Sequence, residues 1–170
     1  MVPQRVGPKI ADVHDFAASF ETGEVAERIV RDYLLSEGWD VNIVLQPKDK
    51  KHGDYYVFHP DKGGDDSFGI EVKCDVRAEE TQNLFIETEV VTKGVSSPGW
   101  AEYTIARYIF WYFPKARTIW TVPTVKLKYM LEYWNKKYPK AKAYNKGWYG
   151  VGILVPALEV LKIREQRIEL

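Results

Sequence analysis

A single cysteine, Cys74, stands among the 170 residues. That excludes an internal disulfide framework and fits a reducing compartment. Long apolar runs are missing as well. The most hydrophobic stretch, Val151 to Leu161, is interrupted by Pro156 and Glu159 and is too short to span a bilayer, so no membrane partner is expected. The opening residues, Met1 to Ala18, hold no long apolar run behind a basic end, so a secretory leader is not expected and the chain reads as soluble and cytoplasmic. His14, His52 and His59 have no metal-binding spacing among themselves. No Gly-x-Ser-x-Gly elbow, Walker loop or dinucleotide fingerprint occurs. Internal repeats, low-complexity tracts and a dividing linker are also lacking, which predicts one domain over residues 1–170 with its core at roughly 20–160. With 45% hydrophobic and 28% charged residues, such a chain can bury a real core without staples.

Net charge is absent too: 24 basic residues balance 24 acidic ones. Taken alone, that argues against a strongly cationic nucleic-acid binder. The balance is uneven along the chain, however. Between Ile10 and Asp40 eight acids face Arg28 and Arg31, and between Asp54 and Val90 ten acids face three bases. From Pro114 to Gly150 nine Lys/Arg oppose only Glu132, interleaved with Trp120, Tyr129, Tyr133, Trp134, Tyr138, Tyr144, Trp148 and Tyr149. Two readings fit that window. One is a solvated amphipathic helix with lysines in water and aromatics inside. The other is a nucleic-acid footprint, with Lys115, Arg117, Lys126, Lys128, Lys136, Lys137 and Lys140 meeting phosphates.

Periodicity predicts a helix from about Thr22 to Ser36, with Val25, Ala26, Ile29, Val30, Tyr33 and Leu34 on its apolar arc. Strands are expected at Asp40–Leu45, Tyr55–His59, Phe68–Asp75, Leu84–Val90, Arg107–Phe113, Thr118–Val122 and Gly150–Val155. The Asp61–Asp66 run reads as a turn, and Pro123 as the opening of a helix to about Lys137. The fold class is therefore α/β, a central mixed sheet flanked by helices.

On the Phe68–Asp75 strand, alternation sends Glu71 and Lys73 to one face and Ile70, Val72 and Cys74 to the other. Cys74 then reads as a small core residue, not a nucleophile. Folding the preceding hairpin about Gly63-Gly64 sets Asp54 opposite Lys73, with Glu71 one diagonal step away. A one-residue slip would move Asp54 to the other face. Such a trio is either a cross-strand ion pair of little consequence or an all-oxygen site for a hard cation such as Mg²⁺ beside a lysine. On the first helix Glu27 falls at the rim of the apolar arc, where it reads either as an exposed first-turn glutamate favoured by the dipole or as a carboxylate reaching the sheet edge. Pairing of the Phe68–Asp75 and Leu84–Val90 strands about residue 80 would bring Glu87 across from Lys73, as a further acid or a solvated one, and Glu89 across from Glu71, more simply as a solvated face. His52 precedes Gly53-Asp54, at the mouth of such a site or in solvent.

The order helix glutamate, strand aspartate, then Glu71-Val72-Lys73 resembles the PD-(D/E)XK nuclease superfamily, the restriction-endonuclease-like fold. Gly23-Glu24-Val25-Ala26-Glu27-Arg28 resembles the glutamate-bearing helix of archaeal Holliday-junction resolvases. Asn83–Glu87 and Gly99-Trp100-Ala101-Glu102-Tyr103 resemble segments of small phage-borne nucleases. Gly53 departs from the family's proline before the aspartate. The resemblance implies a Mg²⁺-dependent endodeoxyribonuclease in which Mn²⁺ can substitute. It implies that Asp54, Glu71 and the Val72 carbonyl hold the metal, that Glu27 touches it through water, and that Lys73 is the catalytic lysine. DNA would be the partner. A structure-selective resolvase working as a homodimer and a non-catalytic DNA-binding module of the same fold are the alternatives.

Overall fold

A computed structural model describes residues 16–44, 47–59 and 67–170. His14, the Asp61–Asp66 turn and the Leu45 end of the first expected strand lie outside the described residues.

Helix α1, Phe16–Ser36, begins six residues before the expected start at Thr22. It buries Ala26, Val30 and Leu34, whereas Val25, expected on the inner arc, is 40% exposed. The inward face is therefore rotated toward Glu27. That glutamate sits mid-helix rather than in the first turn, so the helix dipole gives no account of it. The i, i+4, i+8 spacing of the buried trio makes one stripe, and burying Val30 and Leu34 contributes about 1.5–3 kcal/mol each.

Strands β1 (Asp40–Ile43), β2 (Tyr55–Phe58) and β3 (Phe68–Cys74) follow, and β2 is preceded by a 3-10 helix, Pro47–His52. After the short helix α2 (Ala78–Thr81) come β4 (Asn83–Thr92), β5 (Val95–Pro98), a second short helix α3 (Trp100–Tyr103), β6 (Tyr108–Phe113) and β7 (Thr118–Pro123). Helix α4 (Thr124–Lys137) starts directly after Pro123, as expected. The chain ends with β8 (Lys140–Asn145), β9 (Trp148–Pro156), α5 (Ala157–Ile163) and β10 (Gln166–Glu169). Of these, β5, β8, α5 and β10 carry too little periodic signal to have been anticipated.

Two sheets result. The larger has the order β1-β2-β3-β6-β7-β10, and the smaller β5-β4-β9-β8. Among the described residues only the β3–β6 pair is parallel, and the other pairs are antiparallel. Tyr-Ile-Phe-Trp-Tyr-Phe of β6 is buried at five of its six positions, which suits a central strand covered on both faces. One face of the large sheet (Tyr55, Val57, Ile70, Val72, Phe110) packs under α1. The other (Ile109, Trp111, Val122) packs against Leu84, Ile86, Ile153 and Val155 of the small sheet and Leu127 and Trp134 of α4.

The expected pairing of β3 with β4 is overturned, because β4 lies in the second sheet and β6 takes the place beside β3. Asp75 explains the diversion. Its carboxylate accepts from Ala78 N–H, starting α2, and from Phe85 N–H, anchoring the start of β4. The β2–β3 register also differs by two residues from that expected: Tyr55 pairs with Ile70 and Tyr56 with Gly69, which sets Asp54 beside Glu71 instead of Lys73. An even shift keeps every side chain on its face, so the convergence of Asp54, Glu71 and Lys73 survives.

Cys74 packs beside the α1 cluster as a partly buried residue. Burial, with the Asp75 and Glu79 carboxylates adding to it, pushes its thiol up to about 12. A thiol-reactive dye near pH 8 should therefore label Cys74 roughly 100-fold more slowly in the folded chain than in urea. Equal rates would mean that the thiol is open to solvent. No helix among the described residues is long and apolar enough to cross a membrane.

Candidate active site

Asp54 stands one residue before β2. Its backbone N–H donates to Ile70 C=O at 2.8 Å, and its Oδ2 accepts from Val72 N–H at 2.8 Å. The carboxylate thus replaces the strand partner that β3 lacks beyond Ile70 on this edge. A strand residue's N–H and C=O leave toward the same edge, so the Val72 carbonyl is directed to the Asp54 side.

Gly53 makes this approach feasible. Its φ is +100°, and a side chain there would overlap the Ile70 carbonyl. Proline, fixed near φ −65°, does not fit that conformation. The departure from the Pro-Asp pattern is therefore a different turn into the same aspartate, made by the only residue the turn accepts without strain.

Glu71 is 4% exposed and forms an ion pair with Lys73 Nζ at 2.5 Å. Burial pushes the Glu71 carboxyl up; Lys73 opposes this and Asp54 adds to it. Burial pulls the Lys73 ammonium down, but Glu71 and Asp54 outweigh it and the balance is upward. Lys73 is therefore an ammonium at neutral pH. Its Nζ also lies 5.1 Å from the centre of the Trp100 ring, where a cation gains from the ring face.

Glu27 reaches this group from α1. Burial raises its carboxyl above the ordinary glutamate range and Asp54 adds to that, while Lys50 and Lys73 draw it down. Lys50, from the 3-10 helix, stands 3.6 Å from Asp54 Oδ1. Sequence inspection missed it, although a lysine four residues ahead of a candidate metal aspartate was a readable signal. Tyr103 was missed as a group in its own right. It carries a hydroxyl raised first by burial and then by Glu71, with Lys73 opposing.

Glu87 comes to Lys73 by a different route from the one expected, from the second sheet. The β4–β9 register shifts between Glu87 and Glu89, a bulge of the kind that re-aims a side chain. The Glu87 carboxylate accepts from Trp100 N–H and is raised by burial, with Lys73 drawing it down and Glu71 pushing it up. A methyl group at Gly150 would overlap that carboxylate, so the β9 glycine leaves it its space. Glu89, in contrast, accepts from Ser96 Oγ away from the group.

Among the described residues, no three His, Cys, Asp or Glu side chains stand close enough to form a metal cage. Asp54 and Glu71 provide two carboxylates, with the Val72 carbonyl directed to the same side. This donor set fits Mg²⁺, which keeps several waters and needs few protein oxygens.

The basic residues of the 114–150 window divide. Lys115 bonds Glu80, Lys128 bonds the Glu102 carbonyl, Lys136 bonds Glu132 and Lys137 bonds the Tyr133 hydroxyl. Arg117 occupies a turn at φ 51°, and Lys126 and Lys140 are exposed. Trp134 of α4 is fully buried, so for this ring the amphipathic-helix reading holds, whereas Trp120 packs against the same core from strand β7. His52 is half-buried with its ring edge-on to Tyr56.

No family model matches the chain, and no curated protein matches it. Among solved structures, a bacterial homing endonuclease, I-Ssp6803I, is similar, with a TM-score of 0.53 over 86% of this chain and 88% of that one. The identity is 15%. The likeness is one of fold: a mixed α/β chain with a large mixed sheet flanked by helices.

Proposed function

We propose that this chain is a Mg²⁺-dependent DNA endonuclease of the PD-(D/E)XK type, with Mn²⁺ able to substitute. The observation that carries the reading is the meeting of Glu27 from α1, Asp54 before β2, and Glu71 and Lys73 from β3 around one point. It is supported by a fold like that of a protein described as a homing endonuclease. Structural ion pairing alone does not account for Asp54, whose Oδ1 and Oδ2 are held by two different elements, or for a buried glutamate raised despite its lysine.

Asp54, Glu71 and the Val72 carbonyl would hold the ion. When bound, Mg²⁺ lowers the pKa of a water near the phosphodiester and offsets the charge that builds on phosphorus. Val72 N–H fixes the Asp54 carboxylate, so its orientation is set before substrate arrives. Lys73, an ammonium, donates to the developing oxyanion and does not take up a proton. Glu87, whose carboxyl Lys73 draws down, adds negative charge near that ammonium, and Glu27 would accept from a water at the rim.

Supercoiled plasmid incubated with the wild-type chain should be nicked or linearised with Mg²⁺ and left intact in EDTA. Asp54→Asn should lower the rate by roughly 10²–10³. Cleavage undiminished in EDTA, or in Asp54→Asn, overturns the reading.

A further inference from the structure

The inner half of the small sheet supplies Leu84, Ile86, Ile153 and Val155 to the core, all at 0% exposure. Beyond the Glu87/Glu89 bulge the same sheet leaves the core. None of residues 88–98 or 140–149 is buried. Opposed residues share a face, so Lys142 with Val151, Tyr144 with Tyr149, and Val91 with Tyr149 make one continuous surface. Thr92 pairs with Trp148, which brings the two hairpin turns, with Lys93 and Lys146, to the same end.

This projection gathers lysines without carboxylate partners among the described residues, whereas in the rest of the basic window Lys115 is paired with Glu80 and Lys136 with Glu132. Its bases are Lys93, Lys140, Lys142 and Lys146, and its acid is Glu89. Among the described residues no carboxylate forms an ion pair with any of the four lysines. On α4, in contrast, Lys136 is paired with Glu132 and Lys137 is held by Tyr133. Solvated lysines that release counterions are the ones that contribute to phosphate affinity.

We propose that the outer half of the β5-β4-β9-β8 sheet is an arm that lies against the backbone of duplex DNA. This rests on the nuclease reading for the choice of DNA. The arm grows from the candidate site itself: β4 carries Glu87 beside Lys73 and runs on to Lys93. At roughly 3.3 Å per residue, the tip lies about 20 Å from the carboxylate cluster, within one turn of a duplex. Duplex is favoured over single strands by the state of the rings. Tyr144 and Tyr149 pack on each other at 5.5 Å, and Lys142 covers the Tyr149 ring at 4.6 Å, so the faces engaged in these contacts are not offered to stacking bases, the feature on which single-strand binding depends.

The test is fluorescence anisotropy of a labelled duplex of about one to three helical turns, with Ca²⁺ in place of Mg²⁺ and the full chain. The triple charge reversal Lys93→Glu, Lys142→Glu, Lys146→Glu should weaken binding at least about tenfold and flatten the log K against log salt slope by about three or more. Lys126→Glu with Lys136→Glu on α4 should stay within about twofold of wild type. An arm variant that binds like wild type, a larger loss from the α4 pair, a preference for single strands, or no binding by the wild-type chain each overturns the proposal. Binding through the arm without any cleavage supports the arm while overturning the hydrolytic reading; cleavage with an indifferent arm does the reverse.

Discussion

Lys73→Met should lower the stability of the chain by about 3 kcal/mol near neutral pH, because it leaves a buried carboxylate without its cation. Glu71 is 4% exposed and already raised by burial, with Lys73 as the largest opposing influence. Without the lysine its folded-state pKa rises further above the unfolded one. The unfolded chain then releases a proton that the folded chain retains, so stability falls as pH rises between the two values. The deficit relative to wild type should be full at neutral pH and shrink as pH drops toward the ordinary glutamate range. Urea midpoints at several pH values read this directly. The double variant Lys73→Met with Glu71→Gln should recover most of the loss, since neither partner is then charged. Under the proposed function both variants should cut DNA roughly 10²–10³-fold more slowly than wild type. A Lys73→Met midpoint equal to wild type at every pH would show that the pair is solvated and incidental.

Gly53→Ala should be comparably damaging through the backbone. At φ +100°, and with the Ile70 carbonyl in the space of a side chain, alanine brings both left-handed strain and overlap with a main-chain oxygen that cannot swing aside. Strain of that kind costs about 1–3 kcal/mol, and forced overlap a similar amount. Gly94, at φ +80° with open space around it, supplies the control, because Gly94→Ala meets only the strain. The expected order of urea midpoints is wild type, then Gly94→Ala, then Gly53→Ala. Surviving Gly53→Ala protein should show reduced cleavage under the proposed function, because the turn delivers Asp54 to Val72 N–H. Equal midpoints for the two alanine variants would mean that the β3 edge yields easily and does not position the aspartate.

The elements with strong periodicity were legible in advance. The Ala26–Leu34 stripe, the alternation through Ile70–Cys74 and the Pro123 helix start each follow from local spacing, and local spacing survives folding. Glu71 and Lys73 share a face as expected because a strand admits no other arrangement. What was illegible depended on partners. The Asp54 register differs by two from a hairpin centred on Gly63-Gly64, because a turn's composition does not fix its centre to the residue. The neighbour of β3 is β6 because Asp75 ties down both α2 and the start of β4, a side-chain bridge that no periodicity records. Glu87 approached Lys73 as expected but by way of a bulge in another sheet. Lys50 was readable from its spacing to Asp54, whereas Tyr103 became visible only when α3 met the end of β3 in three dimensions.

The small sheet terminates in β8 on one side, and Lys140 and Lys142 stand on that outermost strand. An edge strand presents main-chain groups that can recruit another chain's edge, and lysines are among the devices that discourage this. The same side chains therefore guard against edge-to-edge aggregation irrespective of any ligand. Neutral replacements at Lys140 and Lys142 would confuse lost ligand contacts with self-association, whereas glutamate preserves the guard while inverting the field. A light-scattering comparison of Lys142→Val with Lys142→Glu should show the valine variant as the one that aggregates.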